Sequence, residues 1–152
     1  MSKPVRIFTD GSAIGNPGWG GWAAIIQQGS KERTLRGGRP YTCIAEMELT
    51  AAVMALLSLK EPSAVILYSD SELLIHGMKH LAQRWSKDGW RNRRGKSLQY
   101  LPLWHELVEL NRRHSISWQW IRGHNGHNEQ QRADQMAYEQ ACAQRSRNHV
   151  AA

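Results

Sequence analysis

The sequence predicts a mixed α/β domain in which hairpins come first and helical crossovers later. Three observations point there. Two β-branched and aromatic runs near the start, at residues 5–9 and 22–26, are separated by glycine-rich turns and no helix. From Cys43 onward, stretches rich in Ala, Leu, Met and Glu alternate with short β-branched runs. The 152 residues suit one hydrophobic core, and no repeat or low-complexity segment divides them.

Taken in order, Val5-Arg6-Ile7-Phe8-Thr9 reads as a strand stopping at a turn or bulge in Asp10-Gly11-Ser12. Gly15-Asn16-Pro17-Gly18 is a dense loop signal. Trp22-Ala23-Ala24-Ile25-Ile26 gives a second strand, and Gln28-Gly29-Ser30-Lys31 turns the chain into a third at residues 32–37. Residues 43–59 form a helix closed by Glu61-Pro62. Ala64-Val65-Ile66-Leu67-Tyr68 is short and nearly all apolar, which predicts a strand covered on both faces. A short helix follows at residues 71–80, loosened at Gly77.

Residues 84–96 differ in kind: they are polar and cationic, punctuated by Gly89, Trp85 and Trp90. Pro102 opens another helix, whose apolar stripe is Leu103, Leu107 and Leu110. Ile116, Trp118 and Trp120 alternate with Ser117 and Gln119, the period of a half-buried strand. After the turn Gly123-His124-Asn125-Gly126, a last helix spans residues 128–143 with Ala133, Met136, Ala137 and Ala141 inward. The domain is expected to span residues 1–143, with a flexible tail at 144–152.

The formal charge is +7 and the pI about 9.9. That surplus suits polyanion partners, nucleic acid or an anionic surface, with plain solubility as the equal alternative on composition alone. No apolar stretch is long enough to span a bilayer and no signal peptide pattern is present. Cys43 and Cys142 match no metal-ligand spacing, and a reducing cytoplasm is the expected location. A short chain without a linker is expected to be a monomer.

Asp occurs only at positions 10, 70, 88 and 134, so the acids of this basic chain stand out. Asp10 and Asp70 each end a strand run, where open α/β sheets tend to bind ligands. Each also has a plainer reading, Asp10-Gly11 as a turn and Asp70 as a helix cap. Glu48 shares a helix face with Ile44, Ala45, Ala51 and Ala52. A carboxylate on an apolar stripe is costly without a partner, and a metal ion is one such partner. Asp134, on the last helix, reads alone as a solvated surface acid. Four converging carboxylates would suit hard divalent cations, and a pair of such ions performs in-line phosphodiester displacement. Zinc is disfavoured, because His124 and His127 lack thiolates or an HExxH helix nearby.

Phe8-Thr9-Asp10-Gly11-Ser12 with Gly15-Asn16-Pro17-Gly18 resembles the start of bacterial-type ribonuclease H, type 1. Met47-Glu48-Leu49 with Ala51-Ala52, Tyr68-Ser69-Asp70-Ser71, Gly123-His124-Asn125-Gly126-His127 and Arg132-Ala133-Asp134 continue the resemblance in order. It implies a ribonuclease H-like fold, a central five-stranded mixed sheet flanked by helices on both faces. It implies an endonuclease that hydrolyses the RNA strand of RNA–DNA hybrids, leaving 5′-phosphate and 3′-hydroxyl ends. Asp10, Glu48, Asp70 and Asp134 become the metal-binding catalytic residues, with Mg²⁺ as cofactor and Mn²⁺ as substitute. His124 becomes a mobile catalytic group assisting proton transfer or product departure.

The same resemblance places Asn16 against substrate and makes residues 84–96 a basic protrusion. There Arg84, Lys87, Arg91, Arg93, Arg94 and Lys96 would contact phosphates. Trp85 and Trp90 would pack against sugars or hold the protrusion together. The chain also departs from the pattern. The asparagines usual before Met-Glu-Leu are replaced by Ile44-Ala45, followed by Glu46, and neither Ile nor Ala can hydrogen-bond a base edge or ribose through its side chain. Gln130-Gln131 stands for the usual Asn-Glu, and Glu72 adds a negative charge near Asp70. Weaker or altered hybrid grip is the expected consequence. Three rivals remain: a DNA-cutting nuclease on the same fold; a non-catalytic hybrid-binding module, which would have lost a carboxylate; and a general basic binding protein, which would show no magnesium-dependent turnover.

Overall fold

The computed structural model describes residues 3–91, 98–122 and 128–151. Three strands lead, β1 (Val5–Ile14), β2 (Gly18–Gln28) and β3 (Lys31–Thr42). Helix α1 (Ile44–Leu57) crosses to β4 (Ala64–Ser69), and α2 (Glu72–His76) runs through a π-helical turn, Gly77–Leu81, into α3 (Ala82–Lys87). Helix α4 (Leu101–Arg113), β5 (Ser115–Trp120) and α5 (Asn128–Ala151) follow. The sheet is five-stranded with order β3-β2-β1-β4-β5. The β1–β2 and β2–β3 pairs are antiparallel, and β1–β4 and β4–β5 are parallel. This is the mixed five-stranded sheet that the sequence implies.

The period of two along β1 and β2 sorts side chains onto opposite faces. Ile7, Ala24 and Ile26 join Leu49, Leu56, Leu67, Trp104 and Leu107 in a core beneath α1 and α4. Phe8 and Ile25 join Ile121 and Ala133 in a second core beneath α5. The last helix buries Ala133, Ala137 and Ala141, three small residues that let its backbone lie close to the sheet. Gly77 begins the π-helical turn where a helix loosening is expected. A Cβ there would lie 2.5 Å from the Trp104 ring, so the indole occupies the space a side chain would need.

Four expectations need correction. Strand β1 does not stop at Asp10 but continues to Ile14, because β2 pairs with it from Arg6↔Gln27 to Ile14↔Trp19. Strand β3 likewise runs on to Thr42, paired with β2 to its end. Strand β4 is covered fully on one face only: Val65 and Leu67 are buried, whereas Ile66 and Tyr68 are half-buried. The chain from residue 144, expected to be a flexible tail, stays helical to Ala151. Among the described residues, no helix is long and apolar enough to cross a membrane.

Candidate active site

Register alone brings two acids together. The parallel β1–β4 ladder ends at Phe8↔Tyr68, whose rings stack 4.8 Å apart. Asp10 and Asp70 each lie two residues beyond that last pair, Asp10 still within β1 and Asp70 just past the end of β4. Asp10 therefore sits inside a strand on its β2 side and past the ladder's end on its β4 side. The turn reading of Asp10-Gly11 fails, because both residues are paired with β2. The cap reading of Asp70 fails too, because the N-cap of α2 is Ser71, whose Oγ accepts from Leu74 N at 3.2 Å.

Helix α1 supplies the third acid. Its inner face buries Met47, Leu49, Ala51 and Ala52, and Glu48 lies half-buried at the edge of that face. The helix comes close to β1 at Gly11, where an added Cβ would stand 2.5 Å from Glu48 N. Asp10, Glu48 and Asp70 thus offer one oxygen each, all within 4.8 Å of one another. Asp134, exposed on α5, stands outside that three-residue group, but its carboxyl hydrogen-bonds the Asp10 carboxyl.

Packing like charges in a buried place shifts their proton affinity. Burial, then the charge of Asp70 and the hydrogen bond to Asp134, push the Asp10 carboxyl up to about 9. Burial and Asp70 push Glu48 up to about 7, opposed by a hydrogen bond with Ser71. Without a cation, this cluster holds a proton on Asp10 at neutral pH. The donor set, carboxylate oxygens short of positive charge, fits a hard divalent cation taking that proton's place.

This predicts an unusual stability profile. Asp10 and Glu48 have folded pKa values above their unfolded ones, so the folded state binds more protons than the unfolded state. Their contribution is fully present only below pH 3.8 and is lost as pH rises from there through about 7 and 9. Glu32, held down to about 2 by Arg132, acts in the other window: its contribution is present above pH 4.5 and is lost in strong acid. The melting temperature in chelator should therefore fall from pH 5 to pH 9, by on the order of a few kcal/mol of stability. A divalent salt should flatten that fall. A calorimetric profile with no slope in chelator, or no flattening by metal, would refute the expectation.

The remaining predicted residues are placed as follows. Asn16 Oδ1, in the β1–β2 turn, accepts from Ile44 N at 3.1 Å and so satisfies the first N–H of α1. Arg84 and Lys87 are exposed on α3, and Arg91 is exposed just beyond it. Trp85 packs edge-on against Trp104 with centroids 4.9 Å apart, and Trp90 against His105 at 4.2 Å. Both tryptophans thus hold the protrusion onto α4. His124, Arg93, Arg94 and Lys96 lie outside the described residues.

Sequence reasoning missed three supports of this site. Ser71 hydrogen-bonds Glu48 and caps α2, a role signalled by a serine just before a helix. Gln130, buried, donates from Nε2 to the Thr9 carbonyl at 2.9 Å and so ties α5 to the strand beside Asp10. Trp120 donates from its indole nitrogen to the Asp70 carbonyl at 3.2 Å. Neither of the last two has a local sequence signal. Glu46, next to the positions where the resemblance leads one to expect asparagines, binds Arg39 at 2.8 Å and also accepts from Thr42.

The RNase H family model matches residues 2–142. A ribonuclease H of Erythrobacter litoralis is 45% identical over 93% of this chain and 99% of its own. The crystal structure of LC9-RNase H1, a type 1 RNase H with the type 2 active-site motif, superposes with a TM-score of 0.84. It is 25% identical, over 95% of this chain and 75% of that one. LC11-RNase H1, solved in complex with RNA/DNA hybrid, shares the fold with a TM-score of 0.69 at 18% identity, over 91% of this chain and 97% of that one.

Proposed function

The chain belongs to the RNase H family, and from that membership we propose that Asp10, Glu48, Asp70 and Asp134 hold the divalent metal with which it cuts RNA. It is a ribonuclease H, an endonuclease hydrolysing the RNA strand of RNA–DNA hybrids. The observation that supports this metal site most is the gathering of Asp10, Glu48 and Asp70 oxygens within 4.8 Å, in a protein otherwise rich in positive charge. Magnesium suits such all-oxygen ligands, used in a pair, with Mn²⁺ as substitute. When bound, such cations supply positive charge to the scissile phosphate and acidify the attacking water.

The chain's own residues do the rest. Asp10, once deprotonated, would hold the cation, and its position is fixed by the β1–β2 ladder on one side. Ser71 steadies Glu48, and Trp120 steadies the backbone of Asp70. Asp134 approaches from α5 and hydrogen-bonds Asp10. His124 is assigned proton transfer or product departure, with 5′-phosphate and 3′-hydroxyl ends as products. Arg84, Lys87 and Arg91, with Arg93, Arg94 and Lys96, meet the hybrid's phosphates, and 2′-hydroxyl contacts select RNA. Ile44, Ala45 and Glu46 weaken the grip on bases, and Arg39 is partly neutralised by Glu46. We assign the protein to the cytoplasm as a monomer.

The test is direct. Purified protein is incubated with labelled RNA–DNA hybrid, RNA duplex and DNA duplex, each with Mg²⁺ and with a chelator. Cleavage of the hybrid's RNA strand alone, abolished by chelator, is the expected result. Cleavage of DNA duplex in preference to hybrid would overturn it.

A further inference from the structure

A groove of about 510 Å³ lies beside the carboxylates, between α2 with its π-helical turn and the end of β5. Its walls include Glu72, Leu73, His76, Lys79, His80 and Trp120. We propose that it takes an unpaired base of the RNA strand, one that flanks the paired region being cut. This rests on the ribonuclease reading above and extends it to a second, specificity-determining subsite.

The groove adjoins the catalytic centre through Trp120 and Glu72. Trp120 pairs with Ser69 across the β4–β5 ladder, and its indole nitrogen donates to the carbonyl of Asp70. Glu72 lines the groove two residues after Asp70. A strand lying on Asp70 therefore runs onto the indole within the reach of a nucleotide. The occupant is the RNA strand, because that strand meets the carboxylates.

The surface chemistry is that of a stacking platform. Trp120 is 46% exposed and Leu73 44%, large apolar groups left open side by side. The polar edge of the indole is turned inward to Asp70, which leaves ring surface for a ligand. Aromatic stacking tolerates every base, but it needs a base out of its duplex, since a paired base shows a protein only its edges. Lys79 supplies positive charge for the flanking phosphate, and the His76 and His80 rings lie 5.0 Å apart along the same wall. Glu72 is the opposing charge, at the end nearest Asp70 in the chain.

The experiment uses the full chain and a set of hybrids with one paired sequence: blunt, with an RNA overhang at the 5′ or the 3′ end, and with the matching DNA overhangs. KM is measured for each in Mg²⁺. An RNA overhang at one end should lower KM about tenfold relative to the blunt hybrid. Trp120→Ala should bring that ratio close to one, whereas Trp120→Phe, which keeps a ring but loses the N–H, should retain most of it. Lys79→Ala should reduce the ratio and its salt dependence. A wild-type ratio near one, an equal gain from DNA overhangs, or a full ratio in Trp120→Ala would each overturn the groove's role without touching the ribonuclease reading. Failure to cleave any hybrid would instead sink the ribonuclease reading, and the groove's role with it.

Discussion

Asp10→Asn is expected to lower the cleavage rate at least about a thousandfold, equivalent to about 4 kcal/mol in the barrier, while making the metal-free protein more stable. The two effects have one cause. Asp10 is 3% exposed and sits against Asp70, Glu48 and Asp134. An amide keeps the shape: its oxygen still accepts from Gly11 N, now at 2.8 Å, and its NH₂ donates to Asp134 as the protonated carboxyl does. It carries no charge, so the metal loses a ligand and the folded state loses a repulsion. The stability gain should be smallest near pH 4, close to the unfolded value of 3.8, where the unfolded carboxyl is still partly protonated. It should grow with pH to on the order of 2 kcal/mol near neutrality. Hybrid binding should be intact or improved, because a negative charge is gone. Single-turnover cleavage of labelled hybrid and thermal melts in chelator at pH 4, 6 and 8 measure both arms. Full activity in the variant would remove Asp10 from the centre, and a pH-independent change in melting would remove the proposed proton.

Much of this site was legible in the sequence because its signals are local and contradict their surroundings. Glu48 among Ala51, Ala52 and Met47 is a charge on an apolar face, and the structure brings it to two other acids. Asp10 and Asp70 each follow a β-branched run, so a parallel register sufficed to bring them together. Asp134 was not legible in this way, for it is exposed on α5 and its acid partner lies more than a hundred residues away. Only the family resemblance singled it out.

The misreadings share a cause. The end of β1 was placed at Asp10 because aspartate and glycine are poor strand residues, yet pairing with β2 decides, and it runs to Ile14. The polar residues after Ala143 suggest a tail, but the helix continues, with Gln144 lying against Gly38. Gln130 and Trp120 look ordinary until the chain folds, since each serves the site through a backbone carbonyl on another element. Tertiary partners of this kind leave no trace in composition or period.

Gly11 is the second place where a small change should have a large effect. In sequence it is the partner of Asp10 in a turn signal, but its structural role is different. The strand passes under α1 there so closely that a Cβ would stand 2.5 Å from Glu48 N, 2.7 Å from the Met47 carbonyl carbon and 2.8 Å from Met47 Cβ. Two of those atoms are helix backbone, which cannot swing aside as a long side chain can. Gly11→Ala must therefore lift the start of α1, and Glu48 moves with it. Overpacking of this kind costs about 1–3 kcal/mol, or roughly 5 °C in melting temperature for a chain of this size. A displacement of about 1 Å at a catalytic group costs on the order of a hundredfold in rate. Because Glu48 is displaced and not deleted, raising the divalent metal concentration should recover part of the lost rate, unlike in Asp10→Asn. A Gly11→Ala protein that melts and cuts like the parent would show that α1 can yield at this contact. The close approach of helix to strand would then not be what sets the spacing between Glu48 and Asp10.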